Sequence, residues 1–368
     1  MLSCAMSAEL SDSQHSQRVL QFGGWRNSQP KPPDSRPHVY LAFSGGGARG
    51  LSAIGILKAF EEREVKIDGI TGVSMGAIIG GLAACGYSAH QLESLVFAID
   101  FSELLLTSAE RGSVLVSRRD DQERHLLNFR FDGIVPRLPT GLLSAPRLTT
   151  ELNLLTLAPA LKADNDFSKL PVPFRAVATD IVTGEAVLFE QGSLAEAMRA
   201  SMAFPLAFTG LPRDSGILMD GGMRMPIPVL EARKMRIDST VPVIAIDMTT
   251  PLMPRTQLKG LFEIASQVTG VMTQELLARE LAAADIVIRP KLDSLKSVDF
   301  SQAHELIAAG YDAGLRVADS LHALRTQTRQ SGRAIKVDTI LSHGGALDPE
   351  LHNNLLNASN EADRKSVV

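Results

Sequence analysis

Tryptophan occurs once, tyrosine three times and cysteine twice in the 368 residues, and neither sign of charge dominates, with 37 Lys and Arg against 41 Asp and Glu and a formal charge of −4. So few aromatics and so little basic excess exclude a nucleic-acid surface, which interleaves cations with stacking rings. Cys4 and Cys85 cannot build a disulfide framework, and neither stands in a CxxC or Cys/His spacing suited to zinc, so a reducing compartment is expected. A long unbroken apolar run is missing too. The longest weakly charged stretch, Gly69 to Tyr87, is dotted with glycine and contains Ser74, which suits a buried strand, turn and helix better than a membrane span. The polar, Ser-rich Met1 to Gln29 has no apolar core of the secretory kind. A cytoplasmic protein, at most peripheral to a membrane, is the expectation.

What is present is globular: 45% hydrophobic and 21% charged residues, with 29 Gly and 19 Pro, rule out collagen-like, coiled-coil and wholly disordered chains. Four prolines in Ser28 to Pro37 stop regular structure, so residues 1–37 read as a disordered lead-in and order begins near His38. His38 to Phe43 reads as a strand, Ser44 to Gly50 as a glycine loop, and Leu51 to Glu62 as a helix with apolar residues at Leu51, Ile54, Ile56, Leu57 and Phe60. The pattern repeats with a strand at Ile67 to Val73, a tight turn at Gly72 to Gly76 and a small-residue helix at Ala77 to Cys85. Two such units in series imply a parallel sheet in an α/β fold.

Further strands are predicted at Phe174 to Asp180, Glu185 to Phe189, Gly216 to Met219 and Val241 to Asp247. Helices are predicted at Leu194 to Ala203, Leu258 to Ala284 and Gln302 to Arg325. One catalytic domain is expected over 38–327, with a cap or lid inserted at about 101–169, and residues 328–368 as a polar tail.

The chemistry concentrates in three places. Gly72-Val73-Ser74-Met75-Gly76 fits G-x-S-x-G between a strand and a helix, where small flanking residues let the chain turn sharply and expose a serine oxygen. Ser44-Gly45-Gly46-Gly47-Ala48-Arg49-Gly50 can curl its amides inward as an anion nest at a helix start, with Arg49 fixing the loop or adding to the field. Gly45, Gly47 and Gly50 also satisfy G-x-G-x-x-G, the dinucleotide fingerprint, so a nucleotide-binding reading competes for that loop. That reading wants an acid at the end of the second strand, where Thr71, Gly72 and Ser74 stand instead; Asp68 falls at the strand's start. For a base, a Ser-His-Asp triad would draw on His304, His322 or His343, none distinguished by its surroundings. Met219-Asp220-Gly221-Gly222 offers a carboxylate at a strand end with two glycines that permit close backbone approach, although Asp-Gly is also a common turn pair. Asp180 and Asp247, also at strand ends but without a glycine hinge, read as structural caps.

The three motifs in this order resemble the patatin-like phospholipase family. The resemblance runs from about Val39 to Asp247 and takes in Ala178-Thr179-Asp180, Gly184 to Phe189, Gly192 to Ala197, Met198 to Ser201 and Phe204-Pro205. It implies a three-layer α/β/α fold around a mostly parallel sheet, a serine-aspartate dyad, no metal or cofactor, and hydrolysis of acyl esters in lipids. Carried over by position, Ser74 is the nucleophile and Asp220 the base. Gly45, Gly46, Gly47, Arg49 and Gly50 form the oxyanion hole, Gly72 and Gly76 the elbow, and Gly221 and Gly222 the base loop. An aspartate whose ordinary pKa is about 3.9 must be partly desolvated to serve as such a base, and Met75, Leu218, Met219, Met223 and Phe204 are the apolar residues expected to surround it and line an acyl pocket. The substrate is a lipid or acyl ester, with a transient membrane contact expected at Phe101 to Leu106; the charge run Arg118 to Arg124 reads as a solvated face.

Overall fold

The computed structural model describes residues 36–98, 130–132, 135–137, 141–143, 146–292, 295 and 297–331. Cys4, Phe101 to Leu106, Arg118 to Arg124, His343, nearly all of the expected lead-in and the expected tail past residue 331 lie outside the described residues.

Eight strands form the main sheet: β1 His38–Phe43, β2 Lys66–Val73, β3 Phe174–Asp180, β4 Glu185–Phe189, β5 Leu211–Arg213, β6 Gly216–Asp220, β7 Val243–Ile246 and β8 Ile286–Ile288. Their order is β8-β7-β1-β2-β3-β6-β5, with β4 also paired to β3. The run β8 to β3 is parallel, whereas β4 and β6 run antiparallel to β3 and β5 runs antiparallel to β6. The helices are α1 Ser52–Glu62, α2 Met75–Ala84, α3 Ala89–Ala98, α4 Pro146–Lys162, α5 Leu194–Ser201, α6 Val229–Met235, α7 Leu261–Ala282 and α8 Ala303–Ser331.

The layering follows from strand alternation. Along β1, Val39, Leu41 and Phe43 enter one core while Tyr40 and Ala42 enter a second on the opposite face; along β7, Ile244 and Ile246 join the first and Val243 and Ala245 the second. Residues from α1, α2, α3, α4, α5 and α8 fill the first core, and residues from α6 and α7 the second. Three layers result, with helices on both faces of a sheet whose central strands are apolar on both sides. Sequence periodicity placed β1, β3, β4, α1 and α5 within two residues of their observed ends. It did not identify α3, α4, α6, β5 or β8. In α4, Pro159 and an apolar face divided between core and solvent blur the helical period, yet Leu148 and Leu152 lie in the first core, so residues 146–169 are built into the main body. β8 is only three residues long.

Candidate active site

The register of β3 brings the first and third motifs together. β2 climbs along one side of β3 until Val73 pairs with Val177. β6 descends along β3 in the opposite sense until Asp220 pairs with Ala178, the very next residue. The two strands therefore run at each other along one edge of β3, and the chain must leave the sheet at both ends. Ser74 turns into α2, and Gly221 turns into a short 3-10 helix, Gly221–Met223. A Cβ on Gly221 would collide with the Val177 carbonyl oxygen and lie 2.7 Å from Val73 Cγ2, so only glycine lets the strand ends approach this closely.

Ser74 pays for its sharp exit with backbone strain: φ is +56° and ψ −128°, a region that a side-chain-bearing residue holds only when its surroundings fix it. Gly72 and Gly76 provide the room, since a Cβ on Gly72 would meet Gly76 and Ala77, and one on Gly76 would lie 2.5 Å from the Ser44 carbonyl oxygen. The Ser74 carbonyl accepts from the Ala77 amide at 2.9 Å, while its own N–H donates to Ser201 Oγ at 2.9 Å. Ser201, fully buried at the end of α5, in turn donates to the Val177 carbonyl at 2.6 Å. Two residues further on, the Ala203 carbonyl accepts from the Asp220 N–H at 3.0 Å. The segment Ser201–Ala203 thus holds the main chain of both Ser74 and Asp220. Ser201 lies in a stretch similar to the family's, but a serine closing a short helix carries no signal of its long-range partner in the sequence.

Asp220 is buried, at 4% exposure, and its carboxyl is pushed up to about 6, chiefly by desolvation. Two hydrogen bonds oppose that rise by favouring the carboxylate: one from the Ser74 hydroxyl and one from the Gly222 N–H, at 2.8 Å to Oδ1. Of the apolar residues expected around it, Met75, Leu218 and Met219 are buried in the first core, while Met223 and Phe204 are partly buried against it.

The glycine loop lies alongside. A Cβ on Gly45 would sit 3.1 Å from Ser74 Cβ and 3.8 Å from its Oγ. Not every predicted member of the nest points the same way. The Gly45 amide donates to the Pro226 carbonyl at 3.4 Å and the Ala48 amide to the Ser297 carbonyl at 2.7 Å. Arg49 is buried, and its guanidinium donates to the carbonyls of Met248 at 3.3 Å, Leu292 at 2.7 Å and Leu295 at 3.1 Å, tying the loop to the chain that follows β7 and β8. Gly50 packs against Met75, whose Cγ would lie 2.5 Å from an added Cβ. The N–H groups of Gly46 and Gly47 have no hydrogen-bond partner among the described residues. Gly47 has φ +56° and abuts the Ser297 carbonyl, and Gly46 abuts the Met248 carbonyl. Ser44 secures the loop's entrance: its hydroxyl donates to the Gly45 carbonyl at 2.8 Å and accepts from the Met248 N–H at 2.7 Å.

The alternative chemical groups lie elsewhere. His38 Nδ1 pairs with Asp68 at 2.8 Å where β1 and β2 begin, the opposite end of the sheet from Ser74. His304 stacks on Phe97 with ring centroids 4.1 Å apart. His322 Nε2 bonds the Arg63 carbonyl just past the C-terminus of α1, about 16 Å of helix from the glycine loop. Asp180 caps its turn by accepting from the Val182 N–H at 2.9 Å, the main cause of its lowered pKa, and Asp247 accepts from Thr249 and pairs with Arg289 at 2.9 Å. Burial pushes the Cys85 thiol up to about 12, which makes it unreactive. Among the described residues no group of three or more His, Cys, Asp and Glu is placed to hold a metal ion. A cavity of about 230 Å³ bordered by Phe189, Glu196 and Arg213 includes none of the motif residues.

A known family matches the part of the chain that holds all three motifs. The model of the family described as patatin-like phospholipase matches residues 41–233, just over half of the chain. An uncharacterized NTE family protein of Mycobacterium tuberculosis is 31% identical over 209 residues, covering 57% of this chain and 49% of that protein. Human patatin-like phospholipase domain-containing protein 6 is 26% identical over 311 residues, covering 76% of this chain and 20% of that protein. The chain thus spans about half the length of the mycobacterial relative and a fifth of the human one. Among solved structures, VipD from Legionella pneumophila aligns with a TM-score of 0.43 at 14% identity, covering 90% of this chain and 85% of that one. The ExoU–SpcU complex from Pseudomonas aeruginosa aligns at 0.40 and 17%, covering 90% and 59%. With all three motifs inside or beside the matched span and the matched residues forming β1 to α6, the chain belongs to the patatin-like phospholipase family.

Proposed function

We propose that the protein is a serine lipid acyl hydrolase, of phospholipase A or lysophospholipase type, acting through Ser74 and Asp220. The observation that carries the reading is that Ser74 follows Val73 and Asp220 ends β6 at successive positions along one edge of β3, with the Asp220 carboxyl buried and its pKa raised to about 6. A base should hold a proton affinity near the working pH while being largely ionised there, and burial gives Asp220 both above pH 6.

Asp220 removes the hydroxyl proton as Ser74 Oγ attacks the ester carbonyl carbon. The resulting oxyanion is held by the N–H groups of Gly46 and Gly47, with the N-terminus of α2 adding a favourable field. Collapse of the tetrahedral intermediate breaks the bond to the alkoxy oxygen, which leaves as the alcohol with the proton from Asp220. Water then attacks the acyl-serine with Asp220 again as base, releasing the fatty acid and restoring the serine. Arg49 and Gly45 contribute by fixing the loop, and Gly50 by letting it seat against α2. No step calls for a metal or cofactor. The substrate is an acyl ester presented by a lipid, which implies a transient contact with a lipid surface.

The test is hydrolysis of p-nitrophenyl butyrate, phosphatidylcholine, lysophosphatidylcholine and a diacylglycerol by wild type, Ser74→Ala and Asp220→Asn. Loss of activity in both folded variants is expected. Wild-type activity in either variant removes that residue from the mechanism, and loss on replacing a histidine instead restores the triad reading.

A further inference from the structure

Helix α7 is longer than the sheet it covers. Its 22 residues extend about 33 Å, while β7, the strand before it, has four residues and extends about 13 Å. Its C-terminal half lies on the second core through Leu277 and Leu281, and Glu280 accepts the Leu230 N–H at 2.9 Å. Its N-terminal half is reached from the end of β7, the edge of the sheet where β2 delivers Ser74 and where Met248 abuts Gly46. These first turns therefore stand beyond the sheet on the side of the candidate site, and α7 touches the Gly221–Met223 turn that follows Asp220.

The composition of those turns is unusual for an uncovered helix. Ile264, Val268, Val271 and Met272 recur at helical spacing and are 48%, 51%, 54% and 75% exposed, with Leu252, 43% exposed, packed beside Gly270. No charged residue occurs from Ile264 to Gln274. An apolar strip of this kind marks a surface that meets something apolar. Its flank is cationic: Arg255 and Lys259 are exposed just ahead of the helix, and Arg224 is exposed beside the turn that follows Asp220, with Glu263 the one acid between Arg255 and Gln274. Apolar side chains bordered by cations match a bilayer carrying anionic headgroups. A second exposed stripe, Leu154, Leu157 and Leu161 on α4, lacks this placement, because Tyr87 beyond the C-terminus of α2 donates to the Leu155 carbonyl at 2.9 Å and sets that stripe at the far end of α2 from Ser74.

We propose that the N-terminal half of α7, with Leu252, is the surface on which the protein sits against an anionic lipid bilayer, laying the Ser74 site onto its substrate. The proposal rests on the lipid hydrolase reading and adds α7 to the membrane contact expected at Phe101–Leu106, which lies outside the described residues.

The test is co-sedimentation of the full chain with vesicles of phosphatidylcholine, alone or mixed with phosphatidylglycerol. It compares wild type, Val268→Glu with Met272→Glu, and Leu157→Glu as an exposure-matched control. The expected result is retention of wild type on the mixed vesicles, a loss of about tenfold or more in the double variant, and a change within about twofold in Leu157→Glu, with all three hydrolysing soluble p-nitrophenyl butyrate alike. Equal retention of the double variant, equal loss in the control, or a wild-type dimer in light scattering that the double variant splits overturns the proposal, the last by making the strip a contact between copies. Sedimentation reads binding without turnover. A wild type that binds vesicles but cleaves no ester therefore overturns the hydrolase reading alone, and one that cleaves soluble ester without binding overturns the α7 surface alone.

Discussion

Asp220→Asn should abolish turnover and stabilise the fold at once. In the folded protein the Asp220 carboxyl is raised to about 6, against an unfolded value of 3.8, because burial penalises its charge more than Ser74 and Gly222 relieve it. A raised carboxyl pKa contributes stability below 3.8 that is lost as pH climbs through about 6. At 1.36 kcal/mol per pKa unit, the ionised wild type above pH 7 carries a penalty of about 3 kcal/mol that a neutral amide escapes. The amide keeps the shape and can still accept the Gly222 N–H. Urea unfolding of both proteins at several pH values isolates the effect, since every other titrating group is shared and cancels in the difference. The gap in favour of Asp220→Asn should widen by about 2–3 kcal/mol between pH 4 and pH 8, with most of the change between pH 4 and 6 and a plateau above about 7. A gap that stays flat, or one that shifts toward wild type as pH rises, refutes the claim that burial destabilises this carboxylate.

Three further outcomes are expected. Ser201→Ala leaves the Ser74 N–H and the Val177 carbonyl without their partner, which should cost about 1–3 kcal/mol in chemical denaturation and lower kcat with little change in KM; unchanged kcat shows that the strained serine does not need this anchor. Gly47→Ala places a Cβ against the Ser297 carbonyl at φ +56°, so thermal melting should show a loss of more than about 1 kcal/mol and ester hydrolysis should fall sharply; a stable, active variant contradicts the oxyanion role of this loop. Replacing His38, His304 and His322 singly by Gln should leave kcat within about threefold of wild type in ester assays, and a collapse at any one of them identifies the base as that imidazole.

Local signals carried much of this far. Val39 to Phe43 is apolar without a break because both faces of β1 are covered, and Gly72 to Gly76 announces a turn because the chain must reverse between β2 and α2. The pairing that matters most is not local. Nothing in the letters around Val73 and Asp220 says that they occupy successive positions along β3, since that depends on strands more than 100 residues apart finding one register. Arg49 was legible as a charge in a glycine loop, but its carbonyl partners near residues 248, 292 and 295 belong to loops whose return to this point only the fold defines. α4 escaped for a different reason, as Leu154, Leu157 and Leu161 face outward and mask the period of Leu148 and Leu152 facing in.

The most direct measurement is peptide mapping by mass spectrometry after treatment with an alkyl fluorophosphonate, which forms a covalent bond only to an activated hydroxyl. A single adduct on Ser74 is expected, its rate of formation falling about tenfold per pH unit below pH 6 and dropping sharply in Asp220→Asn. An adduct on another serine, or undiminished labelling of Ser74 in Asp220→Asn, contradicts the pairing of Ser74 with Asp220.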